Sequence, residues 1–211
     1  RKYFHHNSER ILPFIDKAIY SLEKEQIPRW NKFLQGYYDN SGIASDNYDQ
    51  AVSLNNSGDI TLTDELMTKG INLKTSIAAS TYYIGFNMLD PVIGGKSDKS
   101  KLLRQAISIA IDYDEYISIF TNGRGIIAQS PIPPGIAGYQ DGKTEFNKTL
   151  FNTAENNTIS KKSISEAKSL LAKAGYKNGI DQKTGKPLIL YFEATGAGAD
   201  TYAFLNWLRK Q

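Results

Sequence analysis

The chain contains no cysteine, so disulfides, thiolate metal ligands and thiol nucleophiles are all excluded. That absence leaves the compartment open, because an exported bacterial protein can do without disulfides. Histidine is nearly as scarce. His5 and His6 are the only two, and adjacent residues cannot share a helix face at the i, i+4 spacing of a zinc site. A Ser-His-Asp triad would have to recruit one of this terminal pair, and no Gly-x-Ser-x-Gly elbow exists to present the serine. Neither sign of charge dominates: 25 Lys and Arg stand against 22 Asp and Glu, for a formal net charge of +3. That is no electrostatic footprint for nucleic acid or an anionic membrane. No stretch reaches the roughly 18–20 uncharged apolar residues of a membrane span, since the run Ile107–Ile111 is closed by Asp112. A start methionine and a signal peptide are also missing. With an Arg1–His6 opening and a close inside an apparent helix at 202–210, the sequence is expected to be an excised piece of a longer protein.

What is present is a globular composition. The 211 residues are 40% apolar and 22% charged, too apolar for disorder and long enough to bury a core. Residues 1–211 are read as a single domain. Ile15–Leu22 has the composition of a strand with imperfect alternation. Pro28 suits the first turn of a helix over 29–38 with Trp30, Phe33, Leu34 and Tyr37 on one face. A polar stretch over 39–59 holds one helical turn near Tyr48–Leu54. Thr61 or Thr63 caps a helix through Asp64–Met67 that Gly70 ends. Ile71–Ile77 and Tyr82–Met88 read as strands, the second broken by Asp90-Pro91. Leu102, Leu103, Ala106, Ile107 and Ala110 recur at helical spacing, and a further helix starts at Asp114 and stops at Gly123. Residues 124–160, with the proline run Pro131–Gly135, read as mostly irregular. Ser163-Ile164-Ser165-Glu166 is a capping box that opens an amphipathic helix ending at Gly175. Pro187–Ala194 reads as a buried strand, and a terminal helix follows Asp200. The mixed order without strict alternation gives an α/β domain of α+β character.

Several patterns invite a sharper reading. Asp90–Ser97 ends in Gly95-Lys96-Ser97, the tail of a phosphate-cradling loop. Such a loop needs glycine where Asp90 stands, and a helix beginning at the Lys-Ser pair, whereas Asp98-Lys99-Ser100 reads as more loop. A polar surface loop is the better account. Asp112, Asp114 and Glu115 sit at a helix–helix junction, where capping and the helix dipole explain them. Gly123-Arg124-Gly125 and Gly196-Ala197-Gly198 lack the third glycine of a dinucleotide fingerprint. The second follows a strand-like segment and precedes a helix, so it can bring backbone close to a ligand. Thirteen tyrosines suit a peptide or sugar cleft, and equally the rim of half-buried strands. The sequons at Asn55, Asn147 and Asn156 are patterns of a kind frequent in an Asn-rich chain.

Taken in order, Tyr82-Tyr83-Ile84-Gly85-Phe86-Asn87, Leu103–Asp112, Gly123-Arg124-Gly125, the Pro131–Gly135 loop, Glu166–Tyr176 and Pro187–Leu190 resemble the family 5 (peptide/nickel) extracellular solute-binding proteins. Ile11–Ala18 is similar to that family's opening strand into the C-terminal lobe. Two segments depart from the family pattern: the connection from Asn87 to Leu102 is longer, and residues 39–59 lack its Gly-Glu-x-Asp turn. The resemblance implies most of the C-terminal lobe of a two-lobed, periplasmic binding protein-like II fold, with no catalysis, cofactor or metal. It implies the substrate-binding component of an ABC importer for oligopeptides or dipeptides, periplasmic or extracellular, with a lipoprotein anchor conceivable in the full-length parent. The implied partners are a peptide ligand, the N-terminal lobe of the same full-length chain and an ABC permease complex. Tyr20, Glu23, Thr195, Gly196 and Gly198 are the implied cleft residues, while Arg104 and Asp112 read as structural. The family's acidic partner for a peptide amino terminus lies on a Trp-x-x-Asp segment downstream of the last helix, so this chain alone is expected to bind peptide weakly or not at all. Two other readings stand beside this one: a nucleotide hydrolase acting through Gly95-Lys96-Ser97, and a structural or signalling module on the same fold.

Overall fold

In a computed structural model, the structure describes residues 15–54, 60–139, 141, 146–153, 159–196 and 198–211. The chain divides into two compact units, Arg1–Leu73 and Lys74–Gln211.

In the first unit, α1 (Gln26–Leu34) starts three residues before the position predicted and ends four before. Gly36 stops it by taking φ +81, a left-handed conformation that costs glycine little. A single 3-10 turn leads into α2 (Tyr48–Ala51), which passes directly into β1 (Val52–Leu54). β1 pairs antiparallel with β2 (Ile60–Leu62), Val52 opposite Leu62, and α3 (Asp64–Thr68) follows. Thr63 does sit at the N-cap of α3, but its hydroxyl makes no cap; it donates to the Gln50 carbonyl at 3.4 Å. Trp30, Ala51, Leu62 and Leu66 form the buried centre, with Phe33 against Trp30 at 5.4 Å between ring centroids.

The second unit is organised by two helices. α4 (Asp98–Ala110) is capped by Ser97, whose hydroxyl accepts from the Ser100 N–H. α6 (Ile164–Lys173) begins with the predicted reciprocal box: Ser163 Oγ accepts from the Glu166 N–H, and the Glu166 carboxylate accepts from the Ser163 N–H at 2.7 Å. The apolar stripes of the two helices face each other. Leu103, Ala174 and Tyr176 are buried at one end of the contact, and Ile109, Ala167 and Leu150 at the other. Between α4 and α6 lie α5 (Tyr113–Thr121) and a hairpin, β3 (Phe151–Thr153) with β4 (Ile159–Lys161). α7 (Ala199–Leu208) closes the chain. Its Phe204 and Trp207 pack on Tyr116 and Phe120 of α5 at centroid distances of 5.6–6.0 Å. Helices with two small antiparallel sheets match the expected α/β class.

Several expectations need correction. The segments 15–22, 71–77, 82–88 and 187–194 carry strand composition but form no strands; only Pro187 makes an isolated bridge, to Ile180. Strand propensity expresses fit to a pleated, half-buried surface, not a backbone preference, and none of these segments has a ladder partner among the described residues. The Pro187–Ala194 segment is also not buried: Tyr191 is 87% exposed. The stretch 124–160 is mostly irregular, as expected, and the strand it does contain among the described residues belongs to the β3–β4 pairing, whose three-residue strands are too short to show alternation. Asp98-Lys99-Ser100 is not loop, since it forms the first turn of α4.

Candidate functional site

Tyr20 and Glu23 belong to the irregular segment that precedes α1. Tyr20 projects into solvent, 94% exposed. Glu23 does not. Its carboxylate accepts hydrogen bonds from Lys32 Nζ and, at 2.5 Å, from the Tyr38 hydroxyl. These donors hold its pKa below the ordinary carboxylate value, Lys32 contributing most, and Lys32 is raised in return. The result is a fixed anion tied to α1. Lys32 and Tyr38 were not legible as its partners, because separations of nine and fifteen residues match no helical or strand spacing.

In the second unit, Thr195, Gly196 and Gly198 stand together at the solvent-exposed turn before α7. Gly196 takes φ +106, and a side chain there would meet Thr201 Oγ1 at 3.1 Å. Both facts favour glycine. Gly198 occupies the N-cap of α7 without a capping side chain, and a Cβ there would enter open space. From Ile189 to Gly196 the backbone makes no hydrogen bond among the described residues. The turn therefore offers bare main chain to whatever approaches.

The Asp90–Ser97 loop is different, because most of its amides are engaged within the loop. Asp90 Oδ1 accepts from the N–H groups of Val92 and Ile93, at 2.8 and 2.9 Å. The Gly94 N–H donates to the Asp90 carbonyl and the Gly95 N–H to the Met88 carbonyl. The amides of Val92, Ile93, Gly94 and Gly95, four that a phosphate would need across this turn, are therefore already spent. Arg104 reaches back from α4 to the carbonyls of Ile93 and Gly95, at 2.6 and 3.1 Å. A Cβ at Gly94 would lie 2.4 Å from the Asp90 carbonyl oxygen. The loop is a closed structural knot with Arg104 as its clasp, the structural role expected of that residue.

Asp112 is likewise structural. It caps α5 by accepting from the Glu115 N–H at 3.1 Å, and this backbone bond is the main cause of its lowered pKa. Glu115 turns elsewhere, accepting from Trp207 Nε1 at 2.7 Å and Gln211 Nε2 at 3.0 Å. Asp181 accepts from the N–H groups of Lys183 and Thr184 and faces Lys99 at 3.4 Å. Lys99 lies 4.1 Å from the centroid of the Tyr176 ring. Among the described residues no group of three or more His, Asp or Glu could hold a metal ion, and no helix is long and apolar enough to cross a membrane.

A family model described as bacterial extracellular solute-binding proteins, family 5 Middle, matches residues 9–206. No curated protein matches the chain, and no solved structure does.

Proposed function

The chain belongs to the bacterial extracellular solute-binding proteins of family 5, and on that premise we propose that it takes part in the uptake of oligopeptides or dipeptides. The family carries the substrate-binding role of ABC importers, is in general not enzymatic, and works in the periplasm or outside the cell. In the proposed reading the chain forms part of one lobe of a two-lobed clamp. The N-terminal lobe of the full-length polypeptide supplies the opposite wall, and an ABC permease receives the cargo. A lipid anchor on the full-length polypeptide would keep the receptor near that permease.

The observation that carries the peptide reading is the bare main chain of Ile189–Gly196, followed by the exposed Thr195, Gly196 and Gly198. A receptor that accepts many peptides must grip what all peptides share, their backbone N–H and C=O groups. An uncommitted stretch of its own backbone, with glycines that do not screen it, provides complementary donors and acceptors. Variable side chains are then accommodated through water, at little cost for each bridge. In the first unit, Tyr20 and Glu23 are proposed as ligand-binding residues in their own right, the first through its exposed ring and the second as a fixed anion held by Lys32 and Tyr38.

Calorimetry on the full-length polypeptide tests this, using short peptides of varied sequence beside a nickel chelate, an opine and a sugar. Peptides of unrelated sequence should release heat of binding, and Gly196→Val should remove it by filling the turn. Binding of the chelate, opine or sugar with no response to any peptide would refute the peptide assignment while leaving the family intact.

A further inference from the structure

Among the described residues only two other than glycine take positive φ, and both are asparagines followed by glycine. Asn122 lies at φ 51 and ψ 44, Asn178 at φ 56 and ψ 26. They are also the only Asn-Gly pairs in the sequence. Asparagine tolerates the left-handed region better than most side chains, so backbone geometry accounts for asparagine at both places. The pairs also share a latent chemistry. Glycine has no side chain to keep its nitrogen away from the preceding amide carbon, so an Asn-Gly pair can react with itself.

We propose that Asn178 is a site of spontaneous deamidation in the folded protein, while Asn122, in the same pair, is protected. In the reaction the Gly179 nitrogen attacks Asn178 Cγ and gives up its proton. The new C–N bond closes a succinimide ring, and the side-chain nitrogen leaves as ammonia with that proton. Water then opens the ring at one carbonyl or the other, giving aspartate or isoaspartate. No oxidant or reductant is needed.

The two sites differ in what this reaction must overcome. The Gly179 N–H donates to the Tyr176 carbonyl at 2.9 Å and closes a single 3-10 turn, Lys177–Gly179. Hydrogen bonds of that geometry are poor, and a single turn opens at low cost. The Gly123 N–H donates to the Ile117 carbonyl at 3.0 Å and closes the end of the nine-residue α5. Asn178 is exposed, and its side-chain amide has no partner among the described residues. Water therefore reaches the oxyanion that forms as nitrogen adds. Asn122 Oδ1 is buried without a partner, so charge developing on it would be neither hydrated nor hydrogen-bonded. The surroundings of Asn178 are local: the backbone bonds of residues 177–180 all run to residues 176–188.

One product alters the fold nearby. Isoaspartate adds a methylene group to the main chain between positions 178 and 179. The Gly179 carbonyl accepts from the Leu188 N–H at 2.7 Å, the last backbone donor before the unpaired residues 189–196. Displacing Gly179 releases Leu188 as well.

Peptide mapping of the full-length polypeptide tests the proposal, because trypsin places the two pairs in separate peptides, 178–183 and 105–124. During incubation at mildly alkaline pH, the folded protein should acquire the mass added by replacing NH2 with OH several-fold faster in 178–183 than in 105–124. In urea, where both turns are lost, the two rates should converge. In the purified isoaspartyl form the Leu188 amide should exchange with solvent faster than before. Equal rates in the folded protein would overturn the proposal, since the pair alone would then govern the reaction. Faster change in 105–124 overturns it too, as does an inert folded protein whose two pairs both react in urea. An unchanged Leu188 amide would refute the link between the modified turn and that bond.

Discussion

Every residue of the segment Leu188–Phe192 is large and apolar or aromatic, whereas α4 carries only four large apolar residues among its 13, yet their burial runs the other way. α4 buries Leu103 completely and Ile109 to 1% exposure against α6 and its surroundings. Leu188–Phe192 leaves Ile189 and Tyr191 mostly in water. The difference lies in what each secondary structure needs. A helix satisfies its backbone internally and requires only that one stripe find a neighbour. A strand leaves half its backbone groups to a second strand, and without one its apolar side chains gain no pleated surface to pack on. In this chain, burial follows backbone self-sufficiency more closely than apolarity.

The largest test of that contrast is Leu103→Ala. The side chain is fully buried between Ala174, Tyr176 and the flanking Val92 and Leu171, so its removal should destabilise the chain by about 2–5 kcal/mol. Chemical denaturation of the variant measures this. A loss well below 1 kcal/mol would mean the α4–α6 contact is not where stability resides.

The same contrast explains which parts of the fold were legible. α4, α5 and α6 were readable because their signals are local: Ser163 and Glu166 signal the start of α6 within four residues, and glycines at 123 and 175 stand just past the ends of α5 and α6. The four strand expectations failed because composition cannot name a partner. The β3–β4 hairpin escaped because three residues are too few for a period. The candidate site divides in the same way. Gly196 was singled out by its place between a strand-like segment and a helix, and the structure gives it a positive φ. The Glu23–Lys32–Tyr38 cluster was not, since a tertiary contact brings those residues together. For the Asp90–Ser97 loop, Asp90 was the informative residue, although its effect is to consume the amides rather than merely to repel phosphate.

A middle-sized effect belongs to the cap that made α6 legible. Ser163→Ala removes the acceptor for the Glu166 N–H and should cost about 1 kcal/mol. The cap also has a pH signature. The Glu166 pKa is lowered, first by the Ser163 N–H and then by Asn152 and the Ser163 hydroxyl. A carboxylate depressed on folding contributes stability above its unfolded pKa, near 4, and that contribution is lost as pH falls through the folded value. Glu166→Gln should therefore flatten the acid limb of a melting-temperature profile while leaving its neutral-to-alkaline shape unchanged. An unchanged acid limb would show that the box holds geometry without preferring the charged form.

The smallest expected effect is the most discriminating. Tyr191 has the bulk of a core residue in a segment of strand composition, yet it is 87% exposed and its backbone is unpaired among the described residues. If burial rather than composition determines its contribution, Tyr191→Ser should alter stability by no more than about 0.5 kcal/mol. Tyrosine and serine differ greatly in apolar area, so a near-zero result would mean that almost none of the ring's surface leaves water on folding. A loss above 1 kcal/mol would instead mean that the ring is covered in solution. The contrast with α4 would then reduce to a difference in partners still to be found, and Leu188–Phe192 would have to be counted with the core.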